Sequence, residues 1–141
     1  MILIDSNVLV ATLVGDHKHN GPSTEMVISS DPLKTVLAAH TIAETYAVLT
    51  RPKLSFRMTA QEAWSQIEPI AKRFRVAALT PPQTLDAIRR FSALGTGPRL
   101  YDFLIGVTGE TYGAHTIVTW NTRDFAGLFP QLRIVTPEAL A

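Results

Sequence analysis

Four acidic residues, Asp5, Glu44, Asp102 and Asp124, carry most of the chemistry available to this chain. Each lies just past a short apolar run, or inside a helix that closely follows one. Ile2-Leu3-Ile4 precedes Asp5, Val36-Leu37-Ala38-Ala39 precedes Glu44, and Ile117-Val118-Thr119-Trp120 precedes Asn121 and Asp124. Asp102 is flanked by Leu100-Tyr101 and Phe103-Leu104-Ile105. If the apolar runs are parallel strands, their C-terminal ends share one edge of the sheet, where α/β folds place their ligands. Acids scattered in sequence would then converge. A carboxylate cluster with no cationic neighbour asks for a hard cation such as Mg²⁺.

Taken singly, three of the four have a purely structural explanation. Asp5 can cap the helix that follows it. Glu44 stands three residues after Thr41, the reciprocal capping-box spacing, and Asn121 and Asp124 share the same relation. Asp102 is harder to dismiss, because its neighbours leave little of that helix turn polar. A carboxylate there is expected to be partly buried, where it is costly if unpaired. The helix dipole returns only about 0.3–1 kcal/mol, so a metal ion or a cationic partner accounts for it better. The argument rests on the combination.

The elements that must position these acids alternate. Residues 1–4 read as a buried strand and 8–14 as a helix capped from Asp5-Ser6-Asn7. A helix over about 23–30, opened by Pro22 or Ser23, is stopped by Asp31-Pro32. A strand at 35–39 leads to a helix starting at Thr41, with Ile42, Tyr46 and Leu49 as its apolar stripe and Arg51-Pro52 as its end. Residues 53–58 are a basic, irregular connection, and Thr59-Ala60-Gln61-Glu62 opens a helix to about Phe74. Then come a strand at 76–79, a helix over about 82–94, the breaker Gly95-Thr96-Gly97-Pro98, and a helix from about Arg99 to Tyr112 stopped by Gly113. Strands at 116–119 and 133–135 flank a short helical piece near 123–128. This pattern predicts an α/β fold with a mainly parallel five-stranded sheet and helices on both faces. No repeat, low-complexity stretch or linker divides residues 1–141, which read as a single domain.

Composition narrows the function classes. A chain of 141 residues with 46% hydrophobic and 18% charged residues is ordinary for a soluble globule. Thirteen basic against twelve acidic residues give a formal charge of +1, so any phosphate-binding surface must be local. There is no cysteine, which removes disulfides, thiol catalysis and thiolate metal sites. No basic leader precedes the first apolar run, and no run approaches the ~20 residues needed to cross a membrane. The expectation is a cytoplasmic protein.

The ordered motifs Ile2-Leu3-Ile4-Asp5-Ser6-Asn7-Val8-Leu9, Glu44 on the helix after the second strand, Leu100-Tyr101-Asp102-Phe103-Leu104-Ile105 and Thr119-Trp120-Asn121-Thr122-Arg123-Asp124-Phe125 resemble those of PIN-domain nucleases. Within that family the similarity is greatest to the VapC-like toxins of toxin–antitoxin pairs, and Ile134-Val135-Thr136-Pro137-Glu138 resembles their last strand. The similarity spans essentially the whole chain. It implies a PIN-like three-layer α/β/α fold and a metal-dependent endoribonuclease using Mg²⁺ or Mn²⁺. Asp5, Glu44, Asp102 and Asp124 carry over as catalytic metal ligands, direct or through water. Asn121 stands in the first slot of the last motif, where it ligates more weakly than a carboxylate, so Asp124 takes the acidic role. Ser6, Thr119 and Asn121 would support that shell. Metal-activated water would attack phosphorus and displace the 3′-oxygen, leaving a 5′-phosphate and a 3′-hydroxyl.

The same resemblance implies an RNA substrate, a small antitoxin protein covering the acidic pocket, and a homodimer. Arg51, Lys53, Arg57, Arg99 and Arg123 are the candidates for phosphate contacts. The four histidines show no ligand spacing and read as structural or solvated. Tyr46, Tyr101 and Trp120 could stack on bases, with core or interface packing the alternative. Two rival readings compete with the nuclease. A receiver-like Mg²⁺-binding signalling domain fits poorly, because the first strand ends in the single Asp5 and no phospho-accepting Asp follows the third. A catalytically inert PIN-like module that binds RNA or protein would be expected to lose a central acid, and only Asn121 hints at that.

Overall fold

A computed structural model describes residues 1–52 and 57–140. Strands β1 (Ile2–Ile4), β2 (Thr35–Ala38), β3 (Arg75–Ala77), β4 (Thr116–Val118) and β5 (Arg133–Val135) form one sheet in the order β3-β2-β1-β4-β5. Every neighbouring pair is parallel, with Ile2 opposite Thr35 and Ile4 opposite Val118. Parallel sheets covered on both faces need near-continuous apolar strands. The three central ones comply: Leu3, Ile4, Val36, Leu37, Ile117 and Val118 are fully buried. The edge strands carry exposed Arg75 and Arg133, and charge on an edge discourages pairing with other chains.

Successive strand residues point to opposite faces, and the core divides accordingly. Leu3, Val36 and Ile117 pack with Phe91, Phe103, Phe125 and Phe129 on one side. Ile4, Leu37 and Val118 pack with Val8, Leu9 and Met26 on the other. The first side is covered by α5 (Pro81–Phe91), α6 (Arg99–Thr111) and α7 (Thr122–Leu128), the second by α1 (Ser6–Leu13) and α2 (Asn20–Ser29). Helix α3 (Ala39–Leu49) joins α4 (Ala60–Arg73) in a third cluster built on Val10, Leu49 and Ile67. The expected three-layer α/β/α arrangement is therefore the one observed, and its sheet is entirely parallel.

Most differences from the sequence reading are shifts of one to three residues at element ends, and two have consequences. Helix α3 begins at Ala39, directly after β2, with Ala38 as a cap that makes no side-chain hydrogen bond. Thr41 is thus inside the helix, the Thr41–Glu44 capping box does not form, and the Glu44 side chain is free for other work. The buried stripe of α3 is Thr41, Thr45 and Leu49, whereas Tyr46 is 37% exposed. Helix α2 starts at Asn20, three residues before Ser23, and the Asn20 side chain donates to the carbonyls of Ala11, Thr12 and Val14 at the end of α1.

Helix α6 lies close against its neighbours because two of its residues lack a side chain. A Cβ on Gly109 would come within 2.9 Å of Leu3 on β1, and one on Gly106 would collide with the Phe129 ring. Gly113 ends the helix at φ +90°, a backbone state that suits glycine. Gly106→Ala should therefore destabilise the fold by roughly 1–3 kcal/mol through overpacking, read as a lower urea midpoint. Adding Phe129→Leu should recover part of that loss, since the two sites are in contact.

Candidate functional site

The acids converge at the carboxyl edge of the sheet around β1, where the connections leave in opposite directions toward β2 and β4. This reversal point is where open parallel sheets form a crevice. Asp5 is the first residue past β1 and is 3% exposed. Its Oδ1 accepts the Ser6 backbone N–H at 2.7 Å, so the capping role read from sequence is real. Its Oδ2 accepts the Thr119 hydroxyl at 2.8 Å, from the residue after β4. Among the described residues no Lys, Arg or His forms an ion pair with Asp5. Burial raises its pKa from 3.8 to about 7 against the lowering effect of these two hydrogen bonds, and the charges of Asp102 and Glu44 push it the same way.

The other acids arrive on helices. Glu44 is half-buried on α3, where Oε1 accepts the Ser6 hydroxyl at 2.5 Å and Oε2 lies 3.4 Å from His40 Nε2. Asp102 sits in the first turn of α6. Its pKa is raised by burial first, then by Glu44 and Asp124, with Arg99 and His40 opposing. Asp124, in the first turn of α7, accepts from Asn121 Nδ2 at 3.0 Å. The Asn121–Asp124 relation is thus a side-chain pair, and Asn121 does not cap the helix through its side chain.

Supporting hydroxyls and amides link the acids. Ser6 touches both Asp5 and Glu44. Thr119 holds Asp5 and itself accepts the Asn121 backbone N–H at 2.9 Å. Of the expected phosphate contacts, Arg99 is at the site: it donates to the Asp124 carbonyl at 3.3 Å and its charge acts on Asp102. Arg123 adjoins Asp124 in sequence and is exposed, as are Arg51 and Arg57, and no described hydrogen bond or ion pair ties these three to the acids. Lys53 lies outside the described residues.

Two residues at the site were not singled out by the sequence pattern. His40 faces Glu44 one helical turn away and stacks on Tyr101, with ring planes 3° apart and centroids 5.1 Å apart. Its spacing of i, i+4 to Glu44 is visible only once the helix is known to start at Ala39. Asn7 donates to Thr119 Oγ1 at 3.1 Å and accepts the Trp120 backbone N–H at 3.1 Å, bracing the residue that holds Asp5. The signal for Asn7 was its place two residues past Asp5, where its side chain reads equally as a cap. Trp120 itself stacks on His19 at 3.7 Å and donates to Ser23 at 2.8 Å, the packing alternative.

Burial first, and then neighbouring carboxylates, raise the pKa values of Asp5 and Asp102, and oxygen donors of this kind suit a small divalent cation. Among the described residues no three His, Asp or Glu side chains are already drawn together at ligand distance.

Fold and site together define an α/β protein with an acidic cluster at the carboxyl edge of its sheet. The sequence matches the PIN domain family model over residues 2–128, and the chain belongs to that family. Solved structures agree in fold. VapC20 of Mycobacterium tuberculosis, described as a sarcin–ricin loop cleaving toxin, superposes with a TM-score of 0.74 at 17% identity, covering 94% of this chain and 99% of that one. FitAcB from Neisseria gonorrhoeae gives 0.68 at 20% identity, covering 97% and 98%. VapBC-1 from nontypeable Haemophilus influenzae gives 0.69 at 17% identity, covering 97% and 98%. A search of curated proteins found no match. Among the described residues no helix is long and apolar enough to cross a membrane.

The raised pKa of Asp5 has a measurable consequence. Between pH 4 and about 7 the folded metal-free protein holds a proton on Asp5 that the unfolded chain has lost, so stability falls as pH rises through that window. Asp5→Asn removes this dependence. Relative to the parent, the Asn variant should gain stability on going from pH 5 to pH 8, by on the order of a few kcal/mol, read from denaturation midpoints in EDTA.

Proposed function

We propose that this protein is a divalent-metal-dependent endoribonuclease, one PIN nuclease domain acting as the toxin of a toxin–antitoxin pair in the cytoplasm. The observation that carries the reading is Asp5: a buried carboxylate with its pKa pushed to about 7, beside two further acids and, among the described residues, in no ion pair. In isolation that arrangement is costly. A Mg²⁺ or Mn²⁺ ion makes it favourable, with Asp5, Glu44, Asp102 and Asp124 holding it directly or through water. When bound, such an ion supplies an acidified water and neutralises charge on phosphate oxygens.

The remaining work falls to the chain itself. Ser6 and Thr119 fix both oxygens of Asp5, so the carboxylate is oriented before anything binds. Asn121 orients Asp124 and leaves the total charge lower than a fifth acid would. Arg99 beside Asp102 and Asp124, with exposed Arg123, offers positive charge to the backbone of a nucleic acid. Water attacks the phosphorus, the bond to the 3′-oxygen breaks, and that oxygen takes a proton to leave a 3′-hydroxyl and a 5′-phosphate. The toxin role and the antitoxin partner are supported by the likeness to a toxin and to a toxin–antitoxin complex, and a homodimer is proposed with them.

The test is cleavage of total cellular RNA by the purified chain with Mg²⁺ or Mn²⁺, beside EDTA and Asp5→Asn controls. Discrete, metal-requiring cuts that vanish in the variant are expected. A folded, partner-free protein that cuts nothing would instead be the inert binding module. Thr119→Val, which keeps the volume and removes the bond to Asp5, should lower Mn²⁺ affinity or cleavage by roughly 10–100-fold, with the fold retained by circular dichroism.

A further inference from the structure

Beside the acids lies a cavity of about 190 Å³ that none of these roles uses. It opens at the carboxyl ends of β2 and β3. Ala39 and His40 line it from α3, Ala78 and Leu79 from the segment after β3, and Leu104 and Thr108 from α6. Two of its walls are continuous with the acidic site. His40 is paired with Glu44 at 3.4 Å, and Leu104 follows Asp102 by two residues on α6.

We propose that this cavity receives a nucleobase of the RNA, from the nucleotide next to the scissile phosphate. The inference rests on the nuclease reading and specifies how that site would choose where to cut. Sequence-specific recognition of RNA works on single-stranded segments whose bases splay out into apolar slots and against aromatic rings. The cavity lies below the ~300 Å³ of a typical small-molecule pocket, the scale of one planar ring system.

Charge decides between the parts of a nucleotide. Among the described residues its lining contains no Asp, Glu, Lys or Arg, and its histidine, His40, is already paired with Glu44, so a phosphate would find no free counter-charge there, whereas a neutral ring loses little on entering. The lining is not featureless. The Thr108 hydroxyl donates to the Leu104 carbonyl at 2.7 Å, which leaves it acceptor capacity for an N–H on a base edge. The His40 ring is held by its parallel stacking on Tyr101 and by Glu44, so the wall is ordered before a base arrives. Through His40 beside Glu44 and Leu104 two residues past Asp102, a phosphate at the acids and a base in this cavity would be neighbours. That coupling would make base fit a condition for productive phosphate placement.

The experiment starts from RNA of random sequence. Cut positions are first mapped on a randomised oligoribonucleotide pool with Mn²⁺. The preferred oligomer is then compared with versions carrying another base, or no base, beside the cut bond. Wild-type protein should lose about tenfold or more in single-turnover kcat/KM on the abasic version, the size of one base-stacking contact. Ala78→Leu and Ala78→Phe, at an exposed position after β3, should fill the cavity in graded fashion and erase the difference between intact and abasic oligomers. Mn²⁺ affinity serves as the check that the acids are undisturbed. Equal cutting of intact and abasic oligomers by wild type, or full base preference retained by Ala78→Phe, would overturn the proposal. A variant that changes oligomeric state while keeping its base preference would also overturn it, and would assign the cavity to a second copy of the chain. No metal-dependent cutting of any RNA by wild type would remove the nuclease reading, and this inference with it.

Discussion

The carboxylate of Asp5 is buried at the end of the central strand of a parallel sheet, and much of the surrounding structure follows from accommodating it there. Its position past β1 puts it at the junction where the chain's connections diverge toward β2 and β4. A charge in that place is desolvated on every side, so each of its oxygens must be satisfied by something local. The backbone of Ser6 and the hydroxyl of Thr119 do so, and Asn7 braces Thr119 from below. The Thr119 and Asn7 contacts tie the end of β1 to the end of β4. They make the site a rigid part of the sheet, unlike a site assembled from mobile loops.

Around that fixed point, three helices deliver the remaining acids by separate physical means. Helix α3 starts directly at the end of β2, so Glu44 is placed by the strand with no loop between. Helix α6 brings Asp102 in through close packing, which depends on the missing side chains of Gly106 and Gly109. Helix α7 is short and presents Asp124 in its first turn, steadied by Asn121. Repulsion among the acids is the common cost. It is visible in the raised pKa values of Asp5 and Asp102, which burial initiates and neighbouring carboxylates extend. Arg99 and His40 relieve part of it at Asp102, whereas among the described residues no ion pair reaches Asp5. A site of this kind is poised for added positive charge, which is the link between its electrostatics and its proposed chemistry.

How much of this was legible in the chain can be traced residue by residue. The strands around Leu3, Val36 and Ile117 announced themselves as short apolar runs, because a strand covered on both faces has almost no polar positions. The acids were legible because they follow those runs, and the helix stop at Gly113 because few residues other than glycine adopt positive φ there. Local pattern was weaker at helix starts. Thr41-Ile42-Ala43-Glu44 has the form of a capping box, yet the helix begins at Ala39 because β2 feeds straight into it. That misplaced start hid His40 and wrongly turned Tyr46 inward. Composition and pattern by themselves therefore determined the α/β class, the parallel sheet and the identity of the acids, since these depend on period and chain order. Only the tertiary structure decided which side chains hold Asp5, that His40 stands against Glu44 and Tyr101, and that a cavity opens beside them. Those facts arise from contacts between elements far apart in the chain, whose packing no local periodicity encodes.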